Sequence, residues 1–187
     1  MDHFYQNIDG WMSKQNTIML DKAIALMPEN STWVELGAWT GRSTAYTVVE
    51  LINKNKFGSF YSVDDWTGGI ELKDIEIAKE NSVKDIFSKN IEPIKSYVNV
   101  IDSLSWDSAE FFENESVDFC YVDAGHTYEC VAKDLRSWWP KIKTGGYFGG
   151  DDYTSEFSGL VLAVNEFFED KKITVEKIGR CWFVKKI

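Results

Sequence analysis

The sequence predicts an α/β fold in which a mostly parallel, seven-stranded sheet lies between two layers of helices and ends in an antiparallel hairpin. Three observations predict it. Strand-like and helix-like stretches alternate along nearly the whole chain, and that alternation implies parallel strands joined by right-handed helical crossovers. The strand-like runs are short and are followed by Gly or Asp, which disfavour continued pairing. The last two β-like runs are separated by Gly179 and Arg180 alone, the spacing of a tight hairpin.

The elements follow in order. Residues 14–27 carry spaced apolar positions (Ile18, Met19, Ala23, Leu26) ahead of Pro28, marking a leading helix within an N-terminal extension, residues 1–30. Thr32 to Leu36 is the first strand, stopped at Gly37, and a helix runs from about Gly41 to Asn53. Phe60 to Val63 is the second strand, followed by a charged amphipathic helix over 73–89. Tyr97 to Ile101 is the third strand, with a short helix expected over 105–113. Val117 to Val122 reads as a buried strand, 128–140 as a helix, and Gly146 to Gly149 as the fifth strand. A helix over 158–169 precedes the closing runs, Ile173 to Ile178 and Cys181 to Lys186. With three Pro and no repeat or low-complexity segment, residues 1–187 read as a single domain.

Composition sets aside several classes. A net charge of −10 argues against a phosphate-backbone footprint, so nucleic acid is not an expected partner. The N-terminus lacks a basic flank and apolar run, and no stretch approaches the about 18 apolar residues of a membrane span. Cys120, Cys130 and Cys181 lack paired spacing, so neither a disulfide framework nor a zinc site is expected, and a reducing cytoplasm fits. Aromatics reach 15%, with eight Trp, which suits either a Trp-rich core and oligomer interface or an aromatic-lined pocket.

In sheets of this kind ligands bind beyond the carboxyl ends of the strands, where the strand order reverses. After the first strand, Gly37-Ala38-Trp39-Thr40-Gly41 turns into a helix start whose free amides, with the Ser43 and Thr44 hydroxyls, suit a carboxylate or phosphate; packing alone also explains such a turn. After the second strand, Asp64 can accept the hydroxyls of a ribose, or be a solvated loop acid. After the third, Ser103, Ser105 and Trp106 can edge and stack on a base, or cap a helix. Asp123 follows the fourth strand, and Asp151 and Asp152 follow the fifth. Three gathered carboxylates repel unless something positive lies between them, and oxygen donors suit Mg²⁺, with Ca²⁺ or Mn²⁺ as alternatives; otherwise one or more of these acids caps the following helix.

As a set these residues resemble class I S-adenosylmethionine-dependent O-methyltransferases of the metal-dependent kind, whose fold is Rossmann-like. The run Val34-Glu35-Leu36-Gly37-Ala38-Trp39-Thr40-Gly41-Arg42-Ser43 is similar to the first motif of catechol O-methyltransferase. The run Asp118 to Glu129, together with Asp134-Leu135, Trp138-Trp139-Pro140 and the segment from Gly145 to Tyr153, is similar to bacterial enzymes that methylate antibiotic sugars. The resemblance implies that Glu35, Gly37 and Ser43 hold the methionine part of the cofactor, with Trp39 near its sulfonium. It implies that Asp64 binds the ribose and that Ser103, Ser105 and Trp106 lie along the adenine. It also implies that Asp123, Asp151 and Asp152 ligate a divalent metal, and that His126 is the catalytic residue. The resemblance departs at Ala124, which leaves no carboxylate beside Asp123, and in the short segment ahead of the first strand. The short segment leads us to expect a site that is open, or completed by a second subunit or by the 65–75 loop with Trp66, Gly68 and Gly69.

The chemistry agrees with these residue types. Methyl transfer is an in-line displacement, so an oxygen nucleophile must be held near the methyl carbon and relieved of its proton. A divalent ion acidifies a bound hydroxyl, and a histidine can take the proton. The expected function is O-methylation of a small hydroxylated acceptor such as a sugar or polyphenol, by an enzyme that forms a homodimer. The alternatives are metal-independent methylation and a cofactor-binding scaffold without catalysis.

Overall fold

The computed structural model describes residues 1–68 and 82–187. Among the described residues seven strands form one sheet: β1 (Ser31–Leu36), β2 (Phe57–Asp64), β3 (Val98–Asp102), β4 (Val117–Val122), β5 (Ile142–Gly150), β6 (Glu176–Ile178) and β7 (Cys181–Lys185). Their order is β3-β2-β1-β4-β5-β7-β6. The first five pair in parallel, and β7 pairs antiparallel with both β5 and β6. The order therefore reverses between β1 and β4, where the sequence argument expects a ligand.

The helices are α1 (Lys14–Leu26), α2 (Arg42–Asn53), α3 (Val83–Asn90), α4 (Tyr128–Trp138) and α5 (Ser158–Asp170). Alternation along the strands sends neighbouring side chains to opposite layers. Phe119 and Tyr121 of β4 join Trp33, Met19, Leu20 and Val48 in the layer under α1 and α2. Cys120 and Val122 join Val34, Leu36, Leu135, Trp138 and Phe168 in the layer under α4 and α5. Ser13 caps α1 and forms a reciprocal pair with Asn16, and the Thr127 hydroxyl accepts from the Cys130 amide to cap α4. Among the described residues no helix is long and apolar enough to cross a membrane.

The departures from expectation have local causes. Strand β5 begins at Ile142 and not at Gly146, because Ile142 pairs with Val117 before a register shift on the way to Phe119–Tyr147. The glycines Gly145 and Gly146 hide that start in the sequence. Strand β6 is three residues long, since it pairs only opposite Cys181, Trp182 and Phe183; Ile173 and Val175 pack on the second core layer instead. The expected 105–113 helix is the 3₁₀ turn Asp107–Phe111. Only the Val83–Asn90 part of the 73–89 helix can be compared, because its start, like Gly69 in the 65–75 loop, lies outside the described residues.

Candidate functional site

Everything at the sheet's carboxyl edge depends on how closely β1 and β4 run at the switch point. The Asp123 amide donates to the Leu36 carbonyl at 2.8 Å and the Gly37 amide to the Val63 carbonyl at 2.9 Å. Gly37 has φ +87°, and a Cβ there would lie 2.0 Å from the Asp123 carbonyl oxygen. No side chain fits, so glycine is required by contact as well as by conformation. The next residues turn sharply, with Trp39 in the left-handed region at φ 47°, a cost that persists where surrounding structure holds it.

What holds it is Asp64. Its Oδ2 accepts the Ala38 and Trp39 amides at 2.8 and 2.9 Å, and its Oδ1 accepts the Trp66 amide at 2.7 Å. Burial raises its pKa, and those three amides pull the other way. Beneath the turn lies Glu35, 1% exposed, receiving the hydroxyls of Ser43 (2.6 Å), Ser62 (3.0 Å) and Thr44. Burial pushes its carboxyl up to about 7 despite these donors. The Ser43 and Thr44 hydroxyls at the start of α2 thus serve an internal carboxylate.

Two clefts open from this floor and share Gly37, Trp39, Asp123, Ala124 and His126. The first, about 240 Å³, is lined further by Asp64, Asp65, Leu104, Ser105, Trp106 and Cys130. The Ser105 carbonyl accepts the Trp138 indole N–H at 2.7 Å, and Lys133 Nζ sits 4.5 Å from the Trp106 ring centroid, so both residues are braced by α4. The second cleft, about 310 Å³, adds Gly10, Trp11, Arg42, Ser43, Phe157 and Arg180, with Asp151 and Asp152. Trp11 lies 5.5 Å from Trp39, ring to ring, on a segment strapped down by Arg42 Nη1 donating to the Gly10 carbonyl (2.8 Å) and Thr40 Oγ1 to that of Asp9.

The acids meet in the second cleft. Asp123 receives the Tyr121 hydroxyl at 3.3 Å, and Asn16 of α1 supports that hydroxyl at 2.9 Å. Burial and then the Asp151 charge push the Asp123 carboxyl up to about 8. Asp152, at φ 58°, faces His126 Nε2 across 2.9 Å through its Oδ2, and the His126 ring lies 4.5 Å from that of Phe157. Asp123, His126 and Asp152 each offer a donor atom within 4.8 Å of the others. Asp151 is turned to Arg180 Nε (3.0 Å) and Cys181 Sγ (3.6 Å), and Arg180 Nη2 donates to Asp152.

The structure therefore brings Gly37, Trp39, Asp64, Ser105 and Trp106 around the first cleft, and Ser43, Asp123, His126, Asp151 and Asp152 around the second. Glu35 and Ser103 line neither cleft; Ser103 Oγ donates to the Leu104 carbonyl at 3.1 Å. The sequence reading missed Arg180, Phe157, Trp11 and Lys133. The Trp content divides between the core, with Trp33, Trp138 and Trp182 fully buried, and the clefts, with Trp11, Trp39 and Trp106 in their walls.

A family model described as a methyltransferase domain matches residues 34–153, the stretch that carries both clefts' floor. The chain belongs to the methyltransferase-domain family. Its fold is similar to that of the O-methyltransferase NovP, with TM-score 0.73 and 16% identity over 92% of this chain and 79% of that one. It is similar to SMU.1697c, a methyltransferase of Streptococcus mutans solved with SAH, with TM-score 0.68 and 11% identity over 95% of this chain and 100% of that one. It is also similar to CalS11, a TDP-rhamnose 3′-O-methyltransferase, with TM-score 0.63 and 13% identity over 92% and 80% of the two chains. These are likenesses of fold. In sequence the chain is 28% identical over 150 residues to the uncharacterized protein R132 of Acanthamoeba polyphaga mimivirus, covering 76% of this chain and 61% of that protein's length.

Proposed function

We propose that this methyltransferase transfers the methyl group of S-adenosylmethionine to a hydroxyl of a small acceptor, with a divalent metal assisting. The observation that carries the reading is the junction of the two clefts, which share Trp39, Asp123 and His126 as a common wall; the first would take the cofactor and the second the acceptor. A donor in one and an acceptor in the other meet there, which is the arrangement an in-line displacement needs. NovP and CalS11, which share the fold, are O-methyltransferases, which supports oxygen as the nucleophile, and CalS11's TDP-rhamnose supports a sugar among the acceptor classes.

The residues divide the work. In the first cleft Asp64 and Asp65 face the ribose, while Ser105 and Trp106 form the wall for the adenine. The cofactor supplies an electrophilic methyl on a sulfonium when bound. Trp39, held by Asp64, keeps water from the junction. The acid cluster suits a divalent cation, because the partly desolvated Asp123 carboxyl has a tyrosine hydroxyl as its neighbour and a second carboxylate pressing on it. Asp123 and Asp152 would hold the ion with Asp151 joining them, and the ion would acidify and orient the acceptor hydroxyl. His126, oriented by Phe157 and Asp152, takes the hydroxyl proton.

One observation favours a second reading, metal-independent transfer: Arg180 already supplies positive charge to Asp151 and Asp152. The test is transfer of labelled methyl to a panel of hydroxylated acceptors, with and without EDTA and with Mg²⁺ or Mn²⁺ restored. Label on oxygen, lost with EDTA and regained with metal, supports the proposal. Label that resists EDTA supports the second reading, and cofactor binding with no transfer to any acceptor supports a scaffold.

A further inference from the structure

The pairing register of the last strand delivers a cation to the acid cluster. In the antiparallel β5–β7 pair, Gly149 lies opposite Phe183 and Gly150 opposite Trp182. Continuing that count sets Asp151 against Cys181 and Asp152 against Arg180, and the Tyr153 amide donates to the Arg180 carbonyl at 2.7 Å to fix the turn there. The guanidinium then spans both acids, with Nε on Asp151 Oδ1 at 3.0 Å and Nη2 on Asp152 Oδ1. The two carboxylate side chains are 7% and 9% exposed, whereas Arg180 is 36% exposed and lines the second cleft. A planar fork suits this geometry, and it offsets the repulsion of adjacent buried carboxylates.

We propose that Arg180 is the resident counter-cation of this cluster, and that a divalent ion binds by exchange, the guanidinium leaving both Asp151 and Asp152 as the ion arrives. The inference rests on the metal-assisted reading above. Asp152 is the member common to both arrangements: it holds Arg180 through Oδ1 and faces the Asp123–His126 position through Oδ2. A dication and a guanidinium on one carboxylate repel each other. Arg180 has a way out, because it stands in the two-residue turn between β6 and β7 and lines the second cleft with its side chain partly exposed. Apparent metal affinity falls by the fraction of time that the pair is open, so a pair closed nine-tenths of the time weakens binding about tenfold.

The test is calorimetric titration of Mn²⁺ into the full chain and into Arg180→Gln, together with nitrogen-15 NMR of the Arg180 Nε–H during Mg²⁺ titration of the unaltered protein. The signal is assigned by its loss in Arg180→Lys. Exchange predicts more than threefold tighter Mn²⁺ binding by Arg180→Gln, and an Nε–H signal that shifts or vanishes as Mg²⁺ saturates. Loss of charge alone also tightens a cation site, so the NMR signal decides: one unchanged at saturation overturns the exchange, whatever the affinities. Tightening of threefold or less overturns it as well and leaves the metal reading standing. No metal binding by either protein overturns the metal reading itself, and the exchange with it.

Discussion

Replacing Glu35 by Gln tests how the floor of the site is built. Glu35 is fully enclosed beneath the glycine turn, and burial holds its carboxyl at about 7 against an ordinary 4.5, with three hydroxyls opposing the rise. An acid whose pKa is higher in the folded than in the unfolded chain keeps its proton longer when folded. Stability is then greatest below the unfolded value and is lost as pH rises toward the folded one. The difference corresponds to about 3 kcal/mol at 1.36 kcal/mol per unit, lost between about pH 4.5 and 7. Gln keeps the shape and does not titrate. The assay is urea unfolding of both proteins from pH 5 to 8. The stability of the natural chain minus that of Glu35→Gln should fall by about 1.4 kcal/mol per pH unit up to pH 7 and then flatten. A difference that is flat throughout, or that grows with pH, would refute the argument that Glu35 is buried with its proton.

Three further outcomes follow from the geometry. Gly37→Ala should lower stability by about 3 kcal/mol or more in thermal unfolding, because its Cβ would collide with the Asp123 backbone; a change under about 1 kcal/mol would contradict the close approach of β1 and β4. Asp64→Ala should weaken cofactor binding by about 1.5–3 kcal/mol in titration calorimetry, since the group proposed to face the ribose also holds the Ala38 and Trp39 amides; unchanged affinity would remove it from the site. His126→Ala should lower kcat by about 10²–10⁴-fold with little change in cofactor affinity if it takes the proton, and an unchanged kcat would remove that role.

Most of the architecture was legible because it rests on local signals. The residues after β1, β2, β4 and β5 announce the cleft floor, since at the edge of a parallel sheet a strand's successor residues face the ligand side together. What was not legible is long-range. Arg180 reaches Asp152 through an antiparallel register, which the hairpin spacing alone does not disclose because β7 is inserted between β6 and β5 and pairs with both. Trp11 reaches the second cleft through two side-chain-to-carbonyl bonds from Thr40 and Arg42, which no periodicity records. The motif reads Glu35 as a cofactor contact, whereas in the fold it lies beneath the turn and lines neither cleft. That its carboxylate is taken up by Ser43, Thr44 and Ser62 follows from the inward pleat of β1 and the first turn of α2.

The most direct test of the central claim is a crystal structure with the demethylated cofactor and Mn²⁺, read by anomalous scattering. The account predicts the ribose against Asp64 and Asp65, the adenine along Ser105 and Trp106, and the sulfur turned toward Trp39 and His126. It also predicts a manganese signal between Asp123 and Asp152. A cofactor lying in the cleft of Trp11 and Arg180, or a metal bound away from these two carboxylates, would contradict it.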